Sequence, residues 1–325
     1  MATQRTRWLQ VLKPISPRAR LVIGCLSFVV PILLWGVVSY VPFVWHPQML
    51  ITKSGSVDYL QPGMRMDRVA FEDAVAEAQK ASAGVPQGVP ANPIYLPAPH
   101  EVLRAFYTSF TTPPLSQNGH WLHESLWHSI QIIFWGFLIS SIIGVPLGVL
   151  CGTYAALSRL NEPFIEFFRY LPAPAFGALA VAILGIYDGP KVAIIVIGTL
   201  FQQVLIIANT TRKLDVGLVE AALTLGAKKA GQLLRRVVIP GILPDLYRDQ
   251  RILLGWAWTY LIVAELIGTS SGITWFITQQ ARYQHFDNVY AAIFMIGIIG
   301  LGTDMLLAFA GRRLFPWDRS LIKQE

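Results

Sequence analysis

A histidine-rich stretch is the part of this sequence that comes nearest to a metal site. The stretch GHWLHESLWHS (119–129) contains three imidazoles and a carboxylate: His120, His123, Glu124 and His128. Such side chains at helical spacing can bind a metal ion. Trp121 and Trp127 in the same stretch favour another interpretation, because aromatic side chains of this kind collect at a membrane–water interface. We therefore predict no metal site.

Motifs of catalysis are scarce. The sequence contains no H-E-x-x-H pattern, and no apolar run holds a close pair of carboxylates. It also contains no G-x-x-x-x-G-K-[ST] pattern, so this chain has no phosphate-binding loop with which to hold ATP. We predict that the chain has no catalytic residue and binds no cofactor of its own.

Five polar residues lie within or directly beside the apolar runs of the second half of the chain, where such groups are costly. They are Arg169, Gln202, Gln203, Asn209 and Glu265. Each could line a path for a polar solute. For Glu265 we favour a hydrogen bond in helix packing, and an arginine such as Arg169 commonly extends to lipid phosphates. The amides suit helix packing and hydrogen bonds to an oxyanion equally well.

A basic, amphipathic segment lies between two of the apolar runs. Residues 219–241, VEAALTLGAKKAGQLLRRVVIPG, carry four Lys and Arg residues within nine positions. The pattern predicts two short helices at an angle, separated at Gly226, which has no Cβ and lets the backbone turn. Pro240 and Pro244 are expected to stop the second helix. On charge alone, the segment could equally be a helix that holds anionic lipid.

These residues belong to a chain with the composition of an integral membrane protein. Of its 325 residues, 54% are hydrophobic and only 14% are charged. A helix needs about 20 apolar residues to cross a bilayer, and six runs reach or approach that length. They are 21–41, 129–151, 170–186, 192–209, 252–268 and 289–310. The predicted fold class is an all-α integral membrane protein with six transmembrane helices.

Basic residues set the orientation of these spans. With the N-terminus inside, 18 of the 26 Lys and Arg residues lie on the cytoplasmic side and seven on the other side. Because cytoplasmic loops carry an excess of Lys and Arg, both termini are predicted to be cytoplasmic. The net charge of +7 then reflects membrane topology and indicates no nucleic-acid partner.

The chain is predicted to have three parts. Residues 1–42 form a cytoplasmic N-terminus and the first span, and residues 43–128 form a periplasmic insertion between the first two spans. Residues 129–325 form a core of five helices with a cytoplasmic loop at 210–251.

Two elements are predicted inside the insertion, on either side of a Gly- and Pro-rich stretch. Residues 66–81 read as a helix, and residues 82–93 contain too many Gly and Pro residues to be regular. Pro99 then suits the first turn of a helix. The apolar positions that follow predict an amphipathic helix in the outer membrane interface.

The residue order of the basic segment resembles the EAA loop of the permeases of binding-protein-dependent, type I ABC importers. EAALTLGA (220–227) is followed by a basic helix and by VVIPGILPD (237–245). HSIQIIFWGFLISSIIGVPLGVLCG (128–152) and LGWAWTYLIVAELIGTSSGI (254–273) resemble spans of the same family. The segments 254–273 and 287–317, which contain the last two spans of the chain, resemble the branch that imports nitrate, sulfonates such as taurine, and bicarbonate. The resemblance covers about 95–318, although YRDQR (247–251) stands where the family has GLR.

The resemblance implies that the loop docks into a groove of a separate ATPase subunit, which binds the ATP and Mg. The residues carried over as coupling residues are Glu220, Ala221, Ala222, Gly226, Ala227, Lys228, Lys229, Arg235 and Arg236. It further implies a second permease copy, giving a homodimer, a periplasmic substrate-binding protein, and a location in the bacterial inner membrane.

The residues leave the substrate and two other functional classes open. Nitrate, bicarbonate, taurine, another sulfonate and an organic acid are all compatible with the sequence. The alternatives to a permease are an integral membrane enzyme and an ATPase-independent channel. A channel would not need the 220–241 loop, so that feature discriminates between the two kinds of transport protein.

Overall fold

The computed structural model describes residues 16–41, 44–81, 83–113, 121–227, 229–267 and 271–318. These residues belong to two compact units. The first contains the chain up to Thr108 together with Gln284–Tyr290, and the second contains Ser109–Tyr283 and the chain from Ala291 onward.

The first unit consists of one long apolar helix and a small α/β module. Helix α1 (Pro17–Tyr40) begins at Ser16, whose hydroxyl accepts the Ala19 N–H, and its apolar side chains are largely exposed. The module is a three-stranded antiparallel sheet with helix α2 packed on it. Its elements are β1 (Gln48–Lys53), β2 (Arg65–Asp67), α2 (Arg68–Lys80) and β3 (Gln87–Ala91), with the strands in the order β2-β1-β3.

The insertion confirms two of the three local predictions. Helix α2 lies within the predicted 66–81, and its Phe71 and Ala74 pack on Ile51 and Leu60. Helix α3 (Pro99–Thr111) begins at the predicted proline. The expectation of irregular structure over 82–93 was wrong, because β3 lies there. Among the described strands, β3 is at the edge of the sheet and pairs with β1, and edge strands tolerate proline.

The second unit is helical. Its described helices are α4 (Leu122–Thr153), α5 (Ala155–Arg169), α6 (Gly177–Leu184), α7 (Asp188–Arg212), α8 (Val216–Thr224), α9 (Ala230–Leu233), α10 (Ile239–Ile267) and α11 (Ile273–Arg282). A final helix, α12 (Phe286–Leu314), begins in the first unit and continues into the second.

Glycines on one face of α4 bring it close to α7. A Cβ at Gly136, Gly148 or Gly152 would lie within 3 Å of an α7 side chain. Small residues at such positions allow helix backbones to approach closely. The core of this unit is built around that pair, with Ile133, Ile194 and Leu261 among its buried residues.

Four described helices are long and apolar enough to cross a membrane: α1, α4, α7 and α12. A fifth candidate is the pair made by α5 and residues 173–184, which bend by 87° at the break between them. The structure therefore bears out a mostly helical membrane protein, and the count of six spans and their topology stay predictions. The predicted all-α class was wrong for the insertion, where β1, β2 and β3 pair into a sheet.

Three predicted boundaries were wrong in detail. Helix α4 begins at Leu122, seven residues before the predicted span. The predicted span 170–186 is not one continuous helix: Pro172 and Pro174 start a 3₁₀ turn at Ala173–Phe176, and only the eight residues of α6 follow it. The predicted cytoplasmic connection at 152–163 is occupied mainly by the first half of α5.

The prolines after the basic segment do not stop its second helix, which corrects a further prediction. Helix α9 passes through a π-helical turn, Leu234–Val238, directly into α10, so one helix runs from residue 230 to residue 267. In the π turn the Ile239 N–H bonds the Leu234 carbonyl, five residues back. Because such a turn widens the helix just before Pro240, the proline ring is accommodated there.

Candidate docking site

The basic segment forms a helix, a sharp turn and the start of a second helix, which we call the docking loop (residues 213–242). Helix α8 starts at Asp215, whose carboxylate accepts the Gly217 N–H at 2.9 Å. It ends where the Ala227 N–H bonds the Ala222 carbonyl and the Gly226 N–H bonds the Leu223 carbonyl, both at 3.0 Å. This pair of bonds is a Schellman motif. Gly226 has a φ of +91°, which confirms the predicted turn and explains why a glycine is needed.

The coupling residues predicted from the sequence lie on the surface of this loop. Glu220, Ala221, Gly226, Lys229, Arg235 and Arg236 are exposed, and Ala222 and Ala227 are half-buried. Lys228 lies outside the described residues. No ion pair joins Glu220, Lys229 or either arginine to another residue in the described part of the chain. These charges are therefore available to a partner.

The loop also exposes apolar side chains that the sequence reasoning did not single out. Helix α8 has no buried residue, and Leu218 and Leu223 are half-exposed. Leu225, at the end of the helix, is 89% exposed. Exposed apolar groups beside basic ones are typical of a protein-binding surface. The signal in the sequence was Leu223 and Leu225, which lie three residues and one residue before Gly226.

Beneath this exposed surface, the loop is packed firmly against the ends of α4 and α7. Val238 and Ile242 form a buried cluster with Val149 of α4 and Ile207 of α7. A Cβ at Gly241 would lie 2.7 Å from Leu214, so the two ends of the loop are also in contact with each other. A cavity of about 420 Å³ lies between the loop and these helix ends. The loop thus has an anchored inner side and a free outer side.

Polar contacts tie the first part of α10 to its neighbours. Arg251 makes two bonds to Asp304 of α12, Nε–Oδ1 at 3.1 Å and Nη2–Oδ2 at 2.9 Å. The Tyr247 hydroxyl donates to the Leu307 carbonyl at 2.8 Å, and the Thr210 hydroxyl donates to Asp249 at 2.5 Å. Residues 247–251, where the sequence departs from the family motif, therefore hold α10 against α12 and α7.

The structure does not bring the five candidate pathway residues together. Gln203 is fully buried between helices, and its amide bonds Ser140, Ser141 and Gln250 at 2.6 to 2.9 Å. Gln202 is half-buried, and Asn209 is exposed and accepts a bond from Arg212. Arg169 is exposed at the end of α5, with its guanidinium 4.9 Å from the ring of Tyr170.

Glu265, the fifth candidate, lies at the opposite end of α10 from the docking loop. It is only 2% exposed, and its carboxylate accepts bonds from the Ser129 hydroxyl and from the Thr274 N–H. The geometry of Glu265 and Gln203 supports the packing interpretation within one chain. Sequence reasoning missed the neighbouring Lys191, which is 1% exposed and bonds Asp188 at 3.0 Å.

The histidine-rich stretch has other partners. His128 bonds Asp188 through Nε2 at 3.0 Å, and the His123 ring stacks against Phe110. His120 lies outside the described residues. Among the residues that the structure does describe, no three His, Cys, Asp or Glu side chains are placed to hold a metal ion.

Comparison with known proteins places the second unit in a family. Residues 144–316, more than half of the chain, match the family described as binding-protein-dependent transport system inner membrane component. A probable ABC transporter permease of Brucella abortus (strain 2308) is 33% identical over 225 residues, which cover 69% of this chain and 87% of that protein. The chain belongs to the permeases of binding-protein-dependent ABC importers. It is thus an inner-membrane transport subunit, and ATP hydrolysis lies in a partner subunit.

Two further proteins are similar to this permease, one in sequence and one in structure. The taurine transport system permease TauC of Escherichia coli (strain K12) is 29% identical over 226 residues, covering 70% of this chain and 81% of that one. The inward-facing MetNI methionine ABC transporter has a chain with a TM-score of 0.53 and 22% identity, covering 64% of the permease and 99% of that chain. At this identity, the second likeness shows the fold alone.

Proposed function

We propose that this permease imports a small oxyanion and that the docking loop is its joint to the ATPase. The docking role of the loop rests on the difference between its two sides. Its inner side is fixed by Val238 and Ile242, and its outer side presents Leu225 and unpaired basic residues. Apolar and cationic groups on a rigid support suit a groove with an apolar floor and an acidic rim.

The proposed arrangement has two permease chains, one for each groove of an ATPase dimer. A homodimer is the simpler case, because identical grooves accept identical loops. Six spans with both termini in the cytoplasm would put the docking loop on the same side as the ATPase. The distribution of Lys and Arg along the sequence supports this orientation.

The proposed substrate class rests on the relatives. The E. coli protein compared above is a taurine permease, and taurine is a sulfonate. The sequence motifs of 254–273 and 287–317 point to the same branch, whose members import nitrate, sulfonates and bicarbonate. A soluble periplasmic binding protein would deliver the anion and would make most of the selection.

The experiment that tests the joint measures ATP hydrolysis by the complex of permease and ATPase in lipid discs, with and without the binding protein. Leu225→Glu places a charge on the outer side of the loop, and because Leu225 is exposed the permease itself should fold normally. Tyr59→Glu, at an exposed aromatic residue of the first unit, is the matched control. We expect loss of ATPase association and of stimulated hydrolysis only in Leu225→Glu.

Two results would contradict this proposal. Normal assembly and hydrolysis with Leu225→Glu would make the loop a lipid-facing basic helix. Uptake of radiolabelled taurine, nitrate and bicarbonate into proteoliposomes tests the substrate class separately. Transport of a cation, or transport without ATP, would remove the oxyanion importer from consideration.

A further inference from the structure

Six polar side chains cluster at the end of α10 that is remote from the docking loop, and three of them, Ser129, Lys191 and Glu265, are buried. We call them the capping cluster: His128, Ser129, Asp188, Lys191, Glu265 and Ser271. They come from α4, from α7, from α10 and from the turn before α11, by which we mean residues 271–272 alone. Charged groups buried in a membrane protein are costly and are kept where they have a role.

Glu265 and Ser129 bond the first N–H groups of α11. The Thr274 N–H donates to the Glu265 carboxylate at 2.8 Å, and the Ile273 N–H donates to the Ser129 hydroxyl oxygen at 2.8 Å. The Ser129 hydroxyl in turn donates to Glu265. The first N–H groups of a helix have no partner within the helix itself. A carboxylate also suits the positive end of a helix dipole, so α11 is capped by a residue of another helix.

Gly272 makes room for this cap. It stands immediately before α11 with a φ of +104°, and a Cβ at this position would overlap the Glu265 carboxylate. The position is therefore restricted twice, by its backbone conformation and by the closeness of the acidic group. No other described glycine meets a carboxylate so closely.

Lys191 fixes the turn before α11 from a second direction. Its ammonium group donates to the Ser271 hydroxyl at 2.9 Å and to Asp188 at 3.0 Å. Asp188 also bonds His128 of α4 at 3.0 Å. The turn is consequently held by α7 through Lys191, while α11 itself is held by α10 through Glu265.

The same helix that carries Glu265 begins in the docking loop. Residues 230–267 are helical without a break, because the π turn joins α9 to α10. At 1.5 Å per residue, this helix is about 55 Å long. This continuous helix therefore connects the docking loop to the cap of α11 and can transmit a displacement from one to the other.

We propose that Glu265 is a positioning residue which makes α11 follow the movement of α10 during the ATPase cycle. The proposal rests on the docking function of the loop, since the ATPase supplies the movement. In this view, Glu265 is the link between a joint on one side of the membrane and a short helix on the other. Lys191 and Ser271 hold the turn, about which α11 pivots.

The test follows the accessibility of α11 in the assembled complex. Arg282, exposed at the end of α11, is replaced by Cys in a background with Cys25→Ser, and the buried Cys151 is retained. A membrane-impermeant maleimide is applied in lipid discs with and without ATP. In the otherwise unchanged protein we expect the modification rate at position 282 to change with ATP.

Two substitutions of Glu265 separate positioning from packing. Glu265→Leu has a similar size but accepts no hydrogen bond, and we expect it to reduce the ATP-dependent change in rate about tenfold while ATPase association persists. Glu265→Gln keeps an oxygen for the Thr274 N–H and should restore most of the response. A purely structural role would instead lower assembly and leave the response of the assembled fraction unchanged.

An unchanged response in Glu265→Leu, or no response in the Arg282→Cys protein itself, would overturn the proposal. If Glu265→Leu does not assemble, Ser129→Ala removes the bond from the Ile273 N–H and the bond that the Ser129 hydroxyl donates to Glu265. It is read in the same way, with a full response as the contradicting result. Failure of the docking function appears elsewhere, as normal ATPase association in Leu225→Glu. The two failures are therefore distinguishable.

Discussion

Gln203 allows the packing interpretation of a buried polar residue to be tested quantitatively. Its amide makes three hydrogen bonds to side chains of α4 and α10 and is fully buried. Interhelical hydrogen bonds in membrane proteins contribute about 0.6 kcal/mol each on average, so Gln203→Ala loses about 2 kcal/mol from them. The cavity that replaces the amide adds about 1–2 kcal/mol. We expect a total loss of about 3–4 kcal/mol in the free energy of unfolding.

Gly144 of α4 supplies a matched second substitution. A Cβ at Gly144 would lie 2.8 Å from the Gln203 carbonyl oxygen and 3.3 Å from Leu200. Gly144→Ala alone should therefore cost about 1–3 kcal/mol through overpacking. In a Gln203→Ala background the amide is absent, and the new methyl group occupies the space it leaves. The double variant should be more stable than the sum of the single effects by at least about 1 kcal/mol.

The assay is unfolding of the purified permease in mixed micelles with increasing SDS, applied to all four proteins of the cycle. Uptake of the transported anion is measured in parallel to obtain KM. Effects that add within about 0.5 kcal/mol would refute the proposed contact between Gly144 and Gln203. A normal stability of Gln203→Ala together with a raised KM would place Gln203 in the substrate path.

Three further predictions concern the docking loop and the insertion. Leu225→Ala should weaken ATPase association by about 2 kcal/mol, or roughly 30-fold, in a binding titration. The free energy of unfolding of the permease should not change, because Leu225 is 89% exposed. An affinity equal to that of the unchanged protein would contradict the docking surface. Gly226→Ala should lower the free energy of unfolding by about 1–2 kcal/mol, because residue 226 has a φ of +91°. Gly226→Asn should lower it by less. Hydrogen exchange across the turn compares the two, and equal protection would argue against backbone strain. Phe71→Ala should lower the free energy of unfolding of the insertion by about 3–5 kcal/mol and increase its proteolysis, without affecting ATPase association. Dissociation of the ATPase would contradict this expectation, because it would give the insertion a role in docking.

Several features of the fold could be predicted because they depend on local sequence. The long apolar runs at 21–41, 192–209 and 289–310 correspond to helices because a bilayer-length helix needs only an uninterrupted apolar sequence. The turn at Gly226 follows from a single glycine after a helical pattern. Family membership was also visible in the sequence, since the motifs that carry the resemblance are contiguous.

The remaining features depend on contacts between distant residues. Proline alone predicts a helix end at Pro240, yet a π turn accommodates the ring and the helix continues. Strand β3 forms from a Gly- and Pro-rich stretch because β1 offers it a partner at a sheet edge. Asp304 of α12 pairs with Arg251 of α10, which is 53 residues away along the chain.

The sequence by itself thus determined which parts of the chain are apolar enough to enter a membrane, where the docking loop turns, and to which family the permease belongs. Only the tertiary structure decided what the buried polar residues do. Gln203 and Glu265 lie within apolar runs and Lys191 directly precedes one, and a polar residue at such a place is compatible with a path or with packing. Each of the three has a partner that is 47 to 136 residues away along the chain, at Gln250, Ser129 and Ser271. Hydrogen bonds across such separations exist only once the helices have packed, so no local pattern could have revealed them.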